Sequence, residues 1–495
     1  MDLHMKIKNV KCLKDLSFNF PIESGIYAIT GENGSGKSTL ISCASTVFYQ
    51  MPMNEYFGSP KDAEIEFTLG DTYRKWTCDG SKWKSESSQA RMQLNGFYEG
   101  SIIFGNRFKD TRFSIIKSLD KLSVEDMNPA SNFVKNKLGE ILHNDETYYN
   151  NLYELKWEIA ESKGVTRATF FTKNENDEFI SQPRMSTGEN LLLSILKSLE
   201  LLTKKRNKNT TVRPCIVFLD EIELALHSSA LRRLIIFLKT VATEFNLSIF
   251  FSTHSLELLR EIKAQNIYYI SRNFDGSTMI TNPCYPAYAT RNLYADDGYG
   301  NDLVVLVEDD LAKILIEKIL LEKNLARSIR IKILPTGGWT NTITMAFDIT
   351  SSNILQRGTK LAVVLDGDIE KNVPDFMHNH KNLKGIKIDY LPIPSLEKYL
   401  KQNLFDKVNQ NFFSLLDTYL FQKRPLAELI NQYAKSHKKD DDTDGKEFYG
   451  VLLNEIRSMK KDREDLVDIV NRHIQQNDSA RILRLEKYLK EKIQE

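Results

Sequence analysis

From Met5 to Tyr27 polar and apolar residues alternate, as in Lys6-Ile7-Lys8-Asn9-Val10 and Leu16-Ser17-Phe18-Asn19-Phe20, the period of strands buried on one face. This predicts a short sheet at the start of the chain. Gly25 to Thr30 is apolar enough for a buried strand, and helical spacing begins at Lys37. Residues 50 to 185 scatter Gly, Ser and Asn, with helical patterning only near Glu140 to Glu161, so their fold stays open. At Asn190 to Leu202 the residues Asn190, Ser194, Lys197 and Ser198 form one polar face among leucines, which predicts a mostly buried helix. Apolar strands follow at Cys215–Leu219 and Ser248–Phe251, separated by a helix from Ser228 to Thr243. Strand, helix, strand implies a largely parallel sheet and an α/β fold.

Around Asn273 to Gly300 the periodicity dissolves into Gly, Pro, Asn and Tyr, a predicted domain boundary. Beyond it Leu303–Val307, Leu311–Glu322, Ile329–Leu334, Ile343–Leu355, Leu361–Leu365 and Ile386–Leu391 alternate strand and helix, enough for one small α/β domain. After Ser395 the pattern is helical and charged, and Lys438 to Gly445 reads as a solvated loop.

A length of 495 residues accommodates about three domains. With 41% hydrophobic and 27% charged residues, the composition excludes wholesale disorder. Lys plus Arg total 67 against 66 Asp plus Glu, so the chain is no polycation, and contact with nucleic acid would need a local patch such as Lys204 to Lys208. The five cysteines are widely spaced with no CxxC pair, which points to reduced thiols rather than zinc. The start of the sequence has no basic-then-apolar leader, and no apolar run reaches 18 residues. Both observations predict a cytoplasmic protein with no membrane contact.

The strand Gly25 to Thr30 runs into Gly31-Glu32-Asn33-Gly34-Ser35-Gly36-Lys37-Ser38-Thr39, the complete phosphate-loop pattern between a strand and a helix. Glycines let successive N–H groups curl around phosphate oxygens, Lys37 neutralises β/γ charge, and Ser38 offers a hydroxyl to Mg2+. Asp220 and Glu221 end the buried strand at Cys215–Leu219, where Asp220 would hold the metal's water shell and Glu221 would polarise the attacking water.

These residues resemble the ABC-type ATPases of DNA repair and chromosome maintenance. Met185-Ser186-Thr187-Gly188-Glu189 stands where that family's Ser-x-Gly-Glu/Gln signature sits, Glu223 to His227 is similar to its segment after the acidic pair, and His254 follows a strand as its switch histidine does. The family's metal-sensing glutamine has no counterpart, since Gln50, Gln89 and Gln93 fall elsewhere. The resemblance implies ATP and Mg2+ as ligands, bound by Gly31, Asn33, Gly34, Gly36, Lys37, Ser38, Thr39 and Asp220. It also implies a head-to-tail homodimer in which Ser186 and Gly188 meet the partner's γ-phosphate.

In the second α/β domain Glu308 ends the first strand, and Asp366-Gly367-Asp368 ends a later one. Functional groups gather at the carboxyl ends of parallel strands, and three carboxylates there repel unless a divalent cation joins them. The pattern resembles the Toprim domain of topoisomerases, primases and certain nucleases, although Asp309 replaces that family's frequent glycine and Ala312 stands where an acid is common. Pro394-Ser395-Leu396-Glu397 is similar to the acidic helix of nuclease members, which makes Glu397 a further candidate ligand for Mg2+ or Mn2+.

The combination resembles the OLD (overcoming lysogenization defect) family over roughly residues 1 to 400. It implies an ABC-type ATPase domain at 1–290, a Toprim nuclease domain at 300–404 and a helical region at 405–495. By that resemblance the chain would couple ATP to metal-dependent cleavage of nucleic acid in antiphage defence, with DNA the favoured substrate and RNA or tRNA the alternative. Shorter members work beside a retron reverse transcriptase and its DNA–RNA hybrid, an implied partner here. From another class, an ATP-driven sensor or scaffold would leave toxicity to a partner protein.

Overall fold

The computed structural model describes residues 2–48, 53–90, 92–100, 113–165, 169–173, 178–208, 213–292, 300–380, 383 and 385–494. It divides into two compact units, Met1–Ala295 and Asp296–Glu495. Gln50 lies outside the described residues.

In the first unit the alternating start forms the antiparallel hairpin Asp2–Val10 and Leu13–Pro21. Strands Ala63–Leu69, Thr72–Cys78 and Trp83–Ser87 extend it into a five-stranded antiparallel sheet. The central sheet has six strands in the order Thr278–Thr281, Ile267–Arg272, Gly25–Gly31, Ser248–Ser252, Cys215–Leu219 and Asn95–Glu99. Every pairing in it is parallel except that of the Thr278–Thr281 edge.

Strand alternation divides this unit into layers. Tyr27, Ile29, Ile216, Phe218 and Phe250 point into a core shared with the antiparallel sheet and helix Lys37–Ser45. Their neighbours Ile26, Ala28, Val217, Leu219, Ile249 and Phe251 point the other way, into a core with helices Asn132–His143, Thr187–Lys208 and Ser228–Phe245. A small antiparallel sheet, Phe179–Ser181, Phe170–Lys173, Leu152–Leu155 and Met127–Pro129, completes the unit around Leu119, Ala160 and Phe171. The stretch that periodicity leaves open therefore supplies three strands of the outer sheet, one central strand and this insert.

The second unit is built on a parallel sheet in the order Ile331–Pro335, Leu303–Val307, Lys360–Leu365 and Ile388–Tyr390. Val304, Leu306, Val363 and Leu365 pack with Ile343, Ala346 and Ile349 of helix Trp339–Ser351. That helix starts four residues before the position its periodicity suggests, directly after Gly338. The alternate strand residues Leu303, Val305, Val307, Ala362 and Val364 are equally buried.

Residues 405–495 belong to the same compact unit. Helix Ser479–Gln494 contacts strand Lys360–Leu365, and the Tyr488 hydroxyl accepts from Val363 N at 3.0 Å and donates to Lys387 O at 2.9 Å. Arg484 pairs with Asp389 and Glu370, each at 2.9 Å. The Lys438–Gly445 run is largely an exposed turn, but two of its residues are built in. Asp442 accepts from the Tyr433 hydroxyl and from Glu447 and Phe448 N–H groups, and Gly445 is buried against the backbone of Glu397. Among the described residues no helix is long and apolar enough to cross a membrane.

Candidate functional site

The phosphate loop links strand Gly25–Gly31 to helix Lys37–Ser45. Gly36 caps that helix at φ 106°, and a Cβ there would lie 2.6 Å from Leu13 Cδ2, so a side chain would meet both backbone strain and a clash. Asn33 and Gly34 are exposed at the loop's tip, while Ser38 and Thr39 are half-buried in the first turn. Lys37 is buried, and its ammonium donates to Gly31 O at 3.1 Å and Glu32 O at 2.9 Å. Burial pulls it down to about 8 against the opposing pull of Glu221, Asp220 and Glu223.

Asp220 sits at the end of its strand, where its N–H donates to Glu99 O at 2.9 Å. Burial pushes its carboxyl up to about 6, helped by Glu221 and Glu223 and opposed by hydrogen bonds from the Ser252 and Ser38 hydroxyls. Ser38 and Asp220 are hard oxygen donors that suit Mg2+, and a cation beside Asp220 would restore its charged form. Glu221 is held at φ 51°, ψ 49°, in the left-handed region, with its N–H donating to Ser252 Oγ at 2.8 Å. That conformation costs about 1–2 kcal/mol for a residue with a Cβ, a strain of the kind that collects at functional positions.

His254 N–H donates to Glu223 Oε1 at 2.7 Å, and its Nδ1 is buried with no hydrogen-bond partner among the described residues. Burial and then Lys37 lower its basicity, while Glu221 acts the other way. Lys37, Asp220, Glu221 and His254 thus share one electrostatic neighbourhood. Glu223 and Ser252 complete it. Glu223 lay within the motif segment, whereas Ser252 was visible only as a polar residue ending an apolar strand.

Ser186 precedes helix Thr187–Lys208 and forms a reciprocal cap with Glu189. Its hydroxyl donates to Glu189 Oε2 at 2.6 Å, so its bonds run to its own helix and not to Lys37 or Ser38. Gly188 is buried, and a Cβ on it would fall 2.7 Å from Ala225 O. The helix start is therefore seated on the short turn Ile222–Ala225 that follows Glu221. In the basic run, Lys204 pairs with Glu200 at 2.7 Å and Arg206 donates to Arg213 O and Asn246 O, which ties two of its cations to the protein itself.

In the second unit Glu308 follows strand Leu303–Val307, and its carbonyl accepts from Gly337 and Gly338 N–H groups at 2.8 and 3.2 Å. Its Oε1 accepts from Asp366 N at 2.9 Å, which bridges the ends of two neighbouring parallel strands. Asp366 is 6% exposed and pushed up to about 8 by burial, then by Glu308, Asp309, Asp368 and Glu397. Glu308 and Glu397 are raised as well, chiefly by burial. Asp368 is exposed and paired with Lys398 at 2.5 Å.

The carboxylates therefore sense one another, yet among the described residues no three His, Cys, Asp or Glu side chains are gathered at metal-ligand spacing. Their chemistry still fits a hard cation, because Asp366, Glu308 and Glu397 are oxygen donors whose ionisation burial and like charge oppose, and a divalent cation would offset both. Two participants belong to no candidate ligand set in the sequence, Asp309 and Lys398. Asp309 caps helix Asp310–Glu322 by accepting from Ala312 N at 2.8 Å and also raises Asp366, Glu308 and Glu397. Each is adjacent to a residue singled out for its charge, which was the available signal.

Residues 4–226 match the protein family described as AAA domain. Similar solved structures include an Smc head bound to the C-winged helix domain of ScpA, at 14% identity and TM-score 0.35, covering 56% of this chain and 96% of that one. The SMC head domain from Thermotoga maritima is similar at 13% identity and TM-score 0.31, covering 57% and 99%. An Smc head domain with an extended coiled coil, bound to the C-terminal domain of ScpA derived from Pyrococcus furiosus, is similar at 12% identity and TM-score 0.37, covering 59% and 98%. No curated protein matches the chain at a significant level. The AAA match spans both the phosphate loop and the Asp220–Glu221 strand end. With the geometry of Lys37, Ser38, Asp220 and Glu221, it supports a P-loop ATPase in the first unit.

Proposed function

We propose that this chain is an ATP-dependent, Mg2+-dependent nuclease that cleaves DNA, in which an ABC-type ATPase unit dimerises around ATP and a Toprim-like carboxylate site does the cutting. The observation that carries the nuclease reading is Asp366, buried at the carboxyl end of a parallel strand with Glu308, Asp309, Asp368 and Glu397 acting on it. Glu308, Asp366 and Asp368 would hold the cation, with Glu397 a further ligand. When bound, Mg2+ would supply an activated water and charge stabilisation at the phosphodiester. Lys398 would release Asp368 as the cation enters, because both compete for the same carboxylate. In the first unit Lys37 would hold β/γ-phosphate charge, Glu221 would orient water, and Ser186 and Gly188 would meet the γ-phosphate of a partner chain.

The antiphage role and a retron reverse transcriptase with its DNA–RNA hybrid as partner rest on the OLD-family resemblance of the motifs. So do the domain limits 1–290, 300–404 and 405–495. A second reading, an ATPase sensor whose partner carries the toxic activity, is favoured by the Lys398–Asp368 pair, which neutralises one carboxylate without a metal.

The test incubates plasmid DNA, total RNA and tRNA with wild type, Asp366→Ala and Lys37→Ala, with and without Mg2+ and ATP. DNA cleavage that needs Mg2+ and disappears in Asp366→Ala is the expected result. Lys37→Ala should lose ATP binding by calorimetry. Cleavage of RNA alone would move the substrate, and intact ATPase activity without any cleavage would favour the sensor.

A further inference from the structure

The signature helix has a support outside its motif. Tyr149 lies in the loop after helix Asn132–His143 and is buried, and its hydroxyl donates to Glu189 Oε1 at 2.7 Å. The other carboxylate oxygen, Oε2, accepts from Ser186 N at 2.9 Å and from the Ser186 hydroxyl at 2.6 Å. Glu189 N–H closes the cap on Ser186 Oγ at 3.3 Å.

Because the single proton of the Tyr149 hydroxyl is committed to Glu189, His143 Nε2 at 3.3 Å can only donate to the tyrosine oxygen. The His143 ring in turn stacks on Tyr148 at 3.7 Å between centroids. A helix cap requires only the Ser186–Glu189 pair. The tyrosine adds a second, buried anchor forty residues away in sequence, and it fixes the plane of the carboxylate that orients both Ser186 groups.

We infer that Tyr149 is a positioning residue for the nucleotide sandwich: it holds Glu189, and with it the start of the signature helix, and it leaves that carboxylate a buried donor when the Ser186 hydroxyl turns its one proton from Glu189 to the γ-phosphate bound by a second copy of this chain. This rests on the sandwich reading proposed above. Because the same helix start is seated on Ala225 by Gly188, a shift of Glu189 also reaches the turn behind Glu221.

Tyr149→Phe removes one hydroxyl and leaves the ring. In a Glu221→Gln background that retains ATP, the variant should bind ATP as a monomer within about twofold of its parent, since Lys37 and Ser38 are untouched. ATP-driven dimerisation, read by analytical ultracentrifugation, should weaken about tenfold, the scale of one lost hydrogen bond to a charged group. In a Glu189→Ala background the same substitution should change the dimer constant by less than about twofold, because its route to Ser186 is gone.

Unchanged dimerisation, a loss that persists without Glu189, or an equal loss of monomer ATP binding would each overturn the assignment. Failure of the Tyr149-intact parent to dimerise with ATP would instead overturn the sandwich reading and the inference with it.

Discussion

Asp366→Asn should stabilise the second unit above pH 7 and leave it unchanged near pH 4. An unfolded aspartate titrates near pH 4, whereas Asp366 in the fold is pushed up to about 8 by burial and four neighbouring carboxyls. Below pH 4 both states carry the proton, so Asp366 has no effect on stability. Between about pH 4 and 8 the folded state holds one more proton than the unfolded state, and stability falls as pH rises.

That interval of about four pH units, at about 1.4 kcal/mol each, sets a ceiling of roughly 6 kcal/mol. Relaxation and water entry at real protein sites reduce the expected gain to about 2–4 kcal/mol. Asparagine keeps the shape and a carbonyl acceptor but has nothing to ionise. For a unit of about 200 residues this corresponds to roughly 5–15 °C in the melting temperature.

Differential scanning calorimetry of the full chain from pH 4 to 9, in chelator, measures the second unit's transition in both proteins. The two curves should meet near pH 4 and separate with rising pH. Adding Mg2+ at pH 8 should raise the wild-type transition and move the variant's much less. Parallel curves, or a variant less stable than wild type at pH 8, would refute the claim that Asp366 is held neutral by burial and like charge.

Glu221→Gln should bind ATP normally and release phosphate at least about a hundredfold more slowly, because the amide keeps the shape and loses the base; single-turnover assays check this. Gly445 sits at φ 73° with Glu397 O 2.5 Å from where a Cβ would stand, so Gly445→Ala should cost about 2 kcal/mol or more in urea unfolding. Gly450→Ala, inside the helix Lys446–Ser458 that Gly445 caps and with open space around it, should be neutral or stabilising by up to about 1 kcal/mol. Equal effects of the two substitutions would remove the argument that the C-terminal turn presses on the Glu397 helix.

The elements that carry the nucleotide chemistry were legible because each is a contiguous signal. A buried strand, glycines at fixed spacing and the opening of a helix are local, so Gly31 to Thr39 and Asp220-Glu221 stand out without knowledge of what they pack against. The same holds for the strands that end at Glu308 and Asp366.

Pairing was not legible, because alternation reports that one face is buried and not which partner buries it. Only the tertiary structure inserts Asn95–Glu99 beside Cys215–Leu219, and only it lays the tail helix Ser479–Gln494 on strand Lys360–Leu365. The electrostatics follow the same division. Asp366 is ordinary in sequence and becomes a carboxyl pushed up to about 8 only where burial sets it among Glu308, Asp309, Asp368 and Glu397. Tyr149 and Glu189 are likewise unremarkable apart, and become one unit because a buried hydroxyl has to find an acceptor wherever the fold places one.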